Sequence, residues 1–254
     1  RPRMDVDIVC VGFGPAMGGF LTTLSKGLVK EDGSPVVESA AMPGMPPQVI
    51  CYERADDVGF GVSGVVTPAR SIKASFPQLD PAQIPMAAPV KTEHVAYLLD
   101  PIGASRRSLA LRTSDVFLKL FKGKTWAIEL PWIPPFLEKH DGMILSMGQF
   151  MQWVGQQATG AGTVQVWPSS PVSAALVEEK KVVGVRLSDQ GAEKNGTPTA
   201  GFTPGMDIRA ALTVFGDGPV GALGQQLDRE FGMPEDHHAH EWAVGMKLVV
   251  DLPA

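Results

Sequence analysis

Cysteine is nearly absent from this chain: Cys10 and Cys51 are the only two among 254 residues. Two thiols are too few for an iron–sulfur cluster, and a disulfide framework is implausible at this length. Each sits in an apolar run, residues 8–11 and 49–52, so both read as inert thiols of buried strands. Also missing is any apolar stretch near the roughly 20 residues that cross a bilayer. Basic residues are scarce as well. Lys and Arg number 22 against 27 Asp and Glu, for a net charge of −5 and a pI near 5.5. With no clustered basic stripe to meet phosphates, a nucleic-acid partner is excluded. What remains is an ordinary globular composition, 44% hydrophobic and 19% charged. The length suits one large domain or a domain with a smaller lobe.

Residues 6–11 are short and β-branched, as in a buried parallel strand, and run straight into Gly12-Phe13-Gly14-Pro15-Ala16-Met17-Gly18. Phe20, Leu21, Leu24 and Leu28 then recur at helical spacing. Residues 30–47 read as a loop before a second strand, 48–52, that ends at Glu53. Glycine is dense over 58–70 and proline over 76–89, which predicts extended loops covering a ligand. Residues 95–99 and 125–130 are candidate strands of a second lobe. The pattern Phe150, Trp153, Val154, Ala158 predicts a helix ending near Gly160. Strands are expected at 164–167, 172–177, 182–187 and 208–215, with a long Gly/Pro loop over 188–205. The last strand stops at Gly216-Asp217-Gly218, and Pro219 suits the first turn of a helix with Leu223, Leu227 and Phe231 on its core face.

A strand, Gly12-x-Gly14 at the turn, and then a helix is the context that makes a glycine pattern a dinucleotide site. Gly12 permits the tight turn, and Gly14 lets backbone N–H groups approach a pyrophosphate at the helix N-terminus. The usual third glycine would fall at Met17, with Gly18 just after. A side chain there should push the helix off the strand unless Gly18 takes over the close approach. Glu53 occupies the place of the acidic partner for the ribose hydroxyls, 41 residues beyond Gly12, so the loop before residue 48 is expected to be an insertion. Glu53-Arg54, Gly59 and Ser63-Gly64 follow where a flavin enzyme needs backbone and hydroxyl groups near the ribityl chain and ring.

These stretches resemble the electron-transfer-flavoprotein:ubiquinone oxidoreductase family, including its nitrogen-fixation-associated bacterial relatives. The likeness runs in order through Asp7-Ile8-Val9-Cys10-Val11-Gly12-Phe13-Gly14-Pro15-Ala16, Ser63-Gly64-Val65-Val66 with Pro68, and Phe76-Pro77. It continues through Ala88-Pro89-Val90-Lys91-Thr92-Glu93, Ile133-Pro134-Pro135-Phe136-Leu137, and Gly216-Asp217-Gly218. The resemblance implies an α/β fold, a glutathione-reductase-like FAD-binding Rossmann domain with an inserted β-rich lobe. The FAD-binding domain would comprise 1–75 and, apparently truncated, 146–254, with the substrate or quinone-side lobe at 76–145. It further implies that Gly12, Gly14, Pro15 and Ala16, with Met17 and Gly18, hold the pyrophosphate, and Glu53 the adenosine ribose. Arg54, Ser63 and Gly64 would line the flavin side, Val172 would offer main-chain contact to adenine, and Asp217-Gly218 would approach the pyrophosphate or ribityl chain.

The implied activity is FAD-dependent electron transfer from an electron-transfer flavoprotein toward a quinone, peripheral to a membrane on a bacterial cytoplasmic or matrix side. An iron–sulfur cluster is expected only in a missing C-terminal part, because residues 248–252 look like a strand cut off as it begins. An alternative is a flavoprotein-like structural subunit of a larger complex with weakened or lost FAD binding, motivated by Met17 and by the shortened chain. A lower-ranked alternative is a flavin-dependent isoprenoid reductase. Phe117, Phe121, Trp126 and Trp132, interleaved with lysines, either form a membrane-surface patch or fill the core of the second lobe. His237, His238 and His240, with Asp236 and Glu241, read as a solvated loop rather than a metal site, since adjacent histidines face different ways.

Overall fold

Val9 and Cys10 are fully buried and Val6 and Val11 nearly so, a pattern that only a strand covered on both faces permits. That strand is β1 (Arg3–Val11), and it pairs in parallel with β2 (Val49–Tyr52) on one side and β13 (Asp207–Phe215) on the other. β8 (Val164–Trp167) extends the sheet in parallel beyond β2. β10 (Lys181–Leu187) and β9 (Val172–Glu178) extend it antiparallel beyond β13, giving the order β8-β2-β1-β13-β10-β9. The computed structural model describes residues 1–59, 64–68, 70–80, 83–99, 108–122, 127–139, 142–160, 162–193 and 196–233, without the side chains of 121 and 122. The histidine loop with Asp236 and Glu241, the apolar run at 248–252, Trp126 and the Phe121 side chain lie outside the described residues.

By packing, the chain forms two units: Arg1–Val65, Ser71–Ala87 and Leu145–Ala254 make one, Val66–Arg70 and Ala88–Ile144 the other. In the first, Val9, Val11, Ile50, Tyr52, Val185, Ile208 and Leu223 form a continuous apolar core. Cys10 and Cys51 are register partners on β1 and β2, free and buried. Burial pushes the Cys10 thiol up to about 12 and raises Cys51 too, with Cys10 and Glu53 adding to the latter, so neither is a ready nucleophile or ligand.

Helix α1 (Pro15–Gly27) starts with Pro at its first position, where the missing N–H costs nothing. Its buried face is Met17, Gly18, Leu21, Thr22 and Ser25, whereas Phe20, expected on that face, is exposed. Thr22 and Ser25 are tolerated there because their hydroxyls donate to the carbonyls of Gly18 and Thr22, at 2.7 and 3.1 Å. α1 packs against α4 (Met147–Thr159), which buries Phe150, Met151, Trp153, Val154 and Ala158.

The segment between α1 and β2 is tied to the sheet by one buried carboxylate. Asp7 accepts hydrogen bonds from Ser39 Oγ (2.6 Å) and from the N–H groups of Ala40, Gln48 (2.8 Å each) and Ala41 (3.4 Å). Burial would raise its pKa, yet these hydrogen bonds together outweigh burial and hold it below the ordinary carboxylate range.

Three stretches expected as loops contain regular structure. β3 (Gly64–Pro68) lies within 58–70 and β4 (Ala88–Pro89) within 76–89, with α2 (Arg70–Ser75) between the two. Within 188–205, β11 (Gln190–Ala192) and β12 (Pro198–Thr203) form an exposed antiparallel hairpin. Helix α5 (Ala222–Phe231) begins after Pro219 rather than at it. For β3, β4 and the β11–β12 hairpin, Gly and Pro suggested a loop, while backbone pairing between strands set the outcome.

The second unit carries the short antiparallel pair β5 (Ala96–Leu98) and β6 (Ala127–Glu129), the pairing of β4 with β7 (Gly142–Ser146), and the helix α3 (Leu109–Lys122). Tyr97 Oη donates to the buried Asp115 carboxylate at 2.9 Å, tying α3 to β5 by a polar contact. Leu109, Val116, Phe117 and Leu120 are left exposed on that helix.

Candidate functional site

The C-terminal ends of β1, β2 and β13 bring the sequence-derived residues together. Gly12 follows β1 directly and has φ +82°, which L side chains rarely adopt. It is also locked in place from behind: a Cβ at Gly12 would lie 2.6 Å from the Gly216 carbonyl oxygen and 3.1 Å from Asp217 Cα. Backbone hydrogen bonds from Gly12 N–H to Tyr52 O and from Gly216 N–H to Val11 O, both 2.8 Å, hold the three strand ends level. In front of Gly14 the situation reverses, since a Cβ there would meet nothing within 4 Å. Gly14 caps α1 without a side-chain hydrogen bond, so the helix start presents backbone N–H groups to open space.

Met17 proves compatible with this turn. Its side chain is 2% exposed, and the room for it comes from Gly216, where a Cβ would sit 3.0 Å from Met17 Cε and 3.4 Å from Met17 Cβ. Gly18 does not take over the approach to the strand. A Cβ on it would come within 2.9 Å of Met151 and Val154, so its bareness serves the contact between α1 and α4. The glycine lost at position 17 is thus offset by one at 216, a compensation visible only once β1 and β13 are neighbours.

Glu53 stands directly after β2, and its carboxylate turns toward the phosphate turn. Phe13 N–H donates to Oε2 at 2.6 Å and Ala55 N–H to Oε1 at 2.9 Å. A carboxylate has about four acceptor positions, so two or so remain for hydroxyl donors. Pro15 and Ala16 are exposed on the first turn of α1, Arg54 is exposed after Glu53, and Gly64 opens β3. Ser63 lies outside the described residues. Val172 opens β9, half-buried against the core cluster.

Asp217 has a second role that its sequence context did not reveal. Its Oδ2 accepts N–H groups from Leu223 (3.0 Å) and Gly224 (3.3 Å), capping α5 from outside the helix. Gly221 must be bare for this, because a Cβ there would fall 2.3 Å from the carboxylate. The segment after β2 is fastened elsewhere: Gly59 has φ +75°, and a Cβ on it would lie 2.2 Å from the Gly148 carbonyl at the start of α4. Among the described residues no group of His, Cys, Asp and Glu is arranged to hold a metal ion.

No protein-family model matches the chain. Among curated proteins it is similar to electron transfer flavoprotein-ubiquinone oxidoreductases of bacteria and eukaryotes. It is 28% identical over 257 aligned positions to the Pseudomonas aeruginosa protein, covering 99% of this chain and 40% of that one. It is 29% identical over 250 positions to the mitochondrial protein of Caenorhabditis elegans, covering 97% and 35%. The chain therefore spans well under half the length of these relatives. Among solved structures it is similar to a geranylgeranyl bacteriochlorophyll reductase-like protein from Thermoplasma acidophilum, with TM-score 0.51 and 17% identity over 88% of this chain and 42% of that one. A myxobacterial chondrochloren halogenase, a variant of FAD-dependent halogenases, gives TM-score 0.50 and 13% identity over 88% and 39%. The resemblance read from the motif order thus holds over nearly the whole chain, and the fold is an FAD-binding Rossmann-type α/β fold.

Proposed function

We propose that this chain is the FAD-binding portion of an oxidoreductase that passes electrons from an electron-transfer flavoprotein toward a membrane quinone. The observation that carries the reading is the convergence of Gly12, Gly14, Glu53 and Asp217 on one end of the sheet, in a chain similar to such enzymes over nearly all its length. The residues fit FAD: a Cβ at Gly14 would meet no atom within 4 Å, so the backbone there is open to a pyrophosphate, and Glu53 retains acceptor positions for ribose hydroxyls. Gly12, Gly14, Pro15 and Ala16 would hold the pyrophosphate, with Met17 and Gly18 seating the helix behind them. Glu53 would hold the ribose, Val172 would meet adenine through its main chain, and Arg54, Ser63 and Gly64 would line the flavin side. Asp217-Gly218 would approach the pyrophosphate or ribityl chain while Asp217 keeps α5 capped.

FAD when bound supplies the redox chemistry, and the protein supplies position and electrostatics, so no side-chain nucleophile or base is needed. Cys10 and Cys51 are sealed in the sheet, and an iron–sulfur cluster belongs in this reading to parts of the longer enzyme. The structural-subunit alternative drew on Met17 and on the shortened chain; Gly216 makes room for the Met17 side chain and so weakens the first of these motives. The visible spectrum of the purified chain, with identification of the cofactor released on denaturation, tests the reading. Bound FAD is expected; a colourless protein that also refuses added FAD would overturn it.

The same reading places the chain at a membrane surface, on the bacterial cytoplasmic or matrix side. No helix among the described residues is long and apolar enough to cross a membrane. Phe117 (61% exposed) and Trp132 (60%) are not core fillers, and with Leu109, Val116 and Leu120 they supply apolar surface suited to the headgroup boundary. Replacing Phe117 and Leu120 together by serine should reduce co-flotation with anionic vesicles severalfold at unchanged folding. Undiminished flotation would remove α3 from the membrane contact.

A further inference from the structure

We infer that Trp167 is the platform on which the adenine of the dinucleotide stacks, and hence a residue that makes this chain select FAD over FMN; the inference rests on the FAD reading above. Trp167 ends β8 and is the register partner of Tyr52, immediately before Glu53. Its carbonyl accepts the Glu53 N–H at 2.9 Å. The Glu53 carbonyl accepts the Ser170 N–H, and the Ala55 carbonyl the Ser169 N–H, both at 2.8 Å. Residues 167–170 are thereby laced to residues 53–55 through the backbone, so the strand end that carries Trp167 is fixed next to the residue proposed to hold the ribose. Adenine is bonded to that ribose, so the base must lie within a few ångströms of it.

The indole is unusual in its surroundings. It is 42% exposed, although every residue of β2 beside it is buried. Tyr52 supports one side in an edge contact, with centroids 5.8 Å apart and planes at 78°. Nε1 donates to Gln165 Oε1 at 3.0 Å, so its one polar group is already satisfied. What it offers solvent is therefore apolar aromatic surface on a rigid strand end, with little side-chain freedom left to lose on binding. A flat, uncharged purine matches that surface, and stacking on an aromatic side chain is independent of any further hydrogen bond. FMN carries no adenosine and would gain nothing from it.

Calorimetric titration of the whole chain with FAD, ADP and FMN tests this. Trp167→Ala is expected to weaken FAD and ADP alike by about tenfold and leave FMN as in the parent, so that the FAD to FMN preference falls by the same factor. Trp167→Phe should restore most of the loss. Trp167→Leu, which keeps apolar bulk against Tyr52 without an aromatic face, should not, and this comparison stands even if the alanine variant unfolds. Equal FAD affinity in the leucine and parent chains, or equal weakening of FAD and FMN, would reduce Trp167 to a packing partner of Tyr52 and leave the FAD reading intact. A parent chain that binds neither FAD nor ADP would overturn both.

Discussion

Gly12→Ala is expected to yield a chain that retains no FAD and unfolds about 3 kcal/mol more easily than the parent. Two independent costs combine. The φ of +82° is unfavourable for any L side chain, and the new Cβ would press on the Gly216 carbonyl and the Asp217 backbone, which cannot rotate away as a flexible side chain could. The strand ends of β1 and β13 must then separate, taking Asp217 and its cap on α5 with them. Gly14→Ala is the informative contrast. Its φ of −92° suits alanine and nothing crowds the new methyl group, so stability should stay within about 1 kcal/mol of the parent. FAD affinity should nevertheless fall at least about tenfold, because the methyl group occupies the space through which a pyrophosphate meets the N–H groups of α1. Urea titrations and FAD binding on the two variants check this. If Gly12→Ala proved as stable as Gly14→Ala, the described contact between the turn and Gly216 would be wrong.

Asp7→Ala should be strongly destabilising for a change away from the site, at about 2 kcal/mol. It would remove the acceptor for three backbone N–H groups and for the buried Ser39 hydroxyl, while the exposed Ala40 and Ala41 can turn to water. Asp7→Asn should do only slightly better, since its amide turns a donor toward donors. Stability should also depend on pH through this group. Its folded-state pKa is depressed, so its contribution is complete above the unfolded value of about 4 and is lost as pH falls through the lower folded value. Urea midpoints measured downward from pH 7 should therefore fall more steeply in the parent than in Asp7→Asn. Parallel slopes would show that Asp7 does not govern the acid limb.

The legible parts of this protein were those with a strong local signal. The strands at 164–167, 172–178, 181–187 and 207–215 lie within a residue or so of their expected bounds, because β-branched runs ended by glycine or charge leave little choice of register. The 188–205 hairpin, β3 and β4 were hidden because the glycines and prolines in and around them look the same in a loop as in a short edge strand. The surface of α3 was ambiguous for a different reason: Phe117 has the same hydrophobicity whether it fills a core or faces water, and only packing tells which.

The sequence by itself determined the strand, the phosphate turn, the helix and the acidic residue at the end of the next strand, since each rests on chemistry carried by a few adjacent residues. It also determined the family likeness, through motif order along the chain. Tertiary structure alone decided whether Met17 spoils the turn, because the answer lies at Gly216, far away in sequence and brought alongside by the pairing of β13 with β1. It alone showed Asp7 as the anchor of the segment between α1 and β2 and Asp217 as the cap of α5. These are many-to-one contacts across the sheet, and no periodicity or spacing in a single chain encodes which distant groups will share a carboxylate.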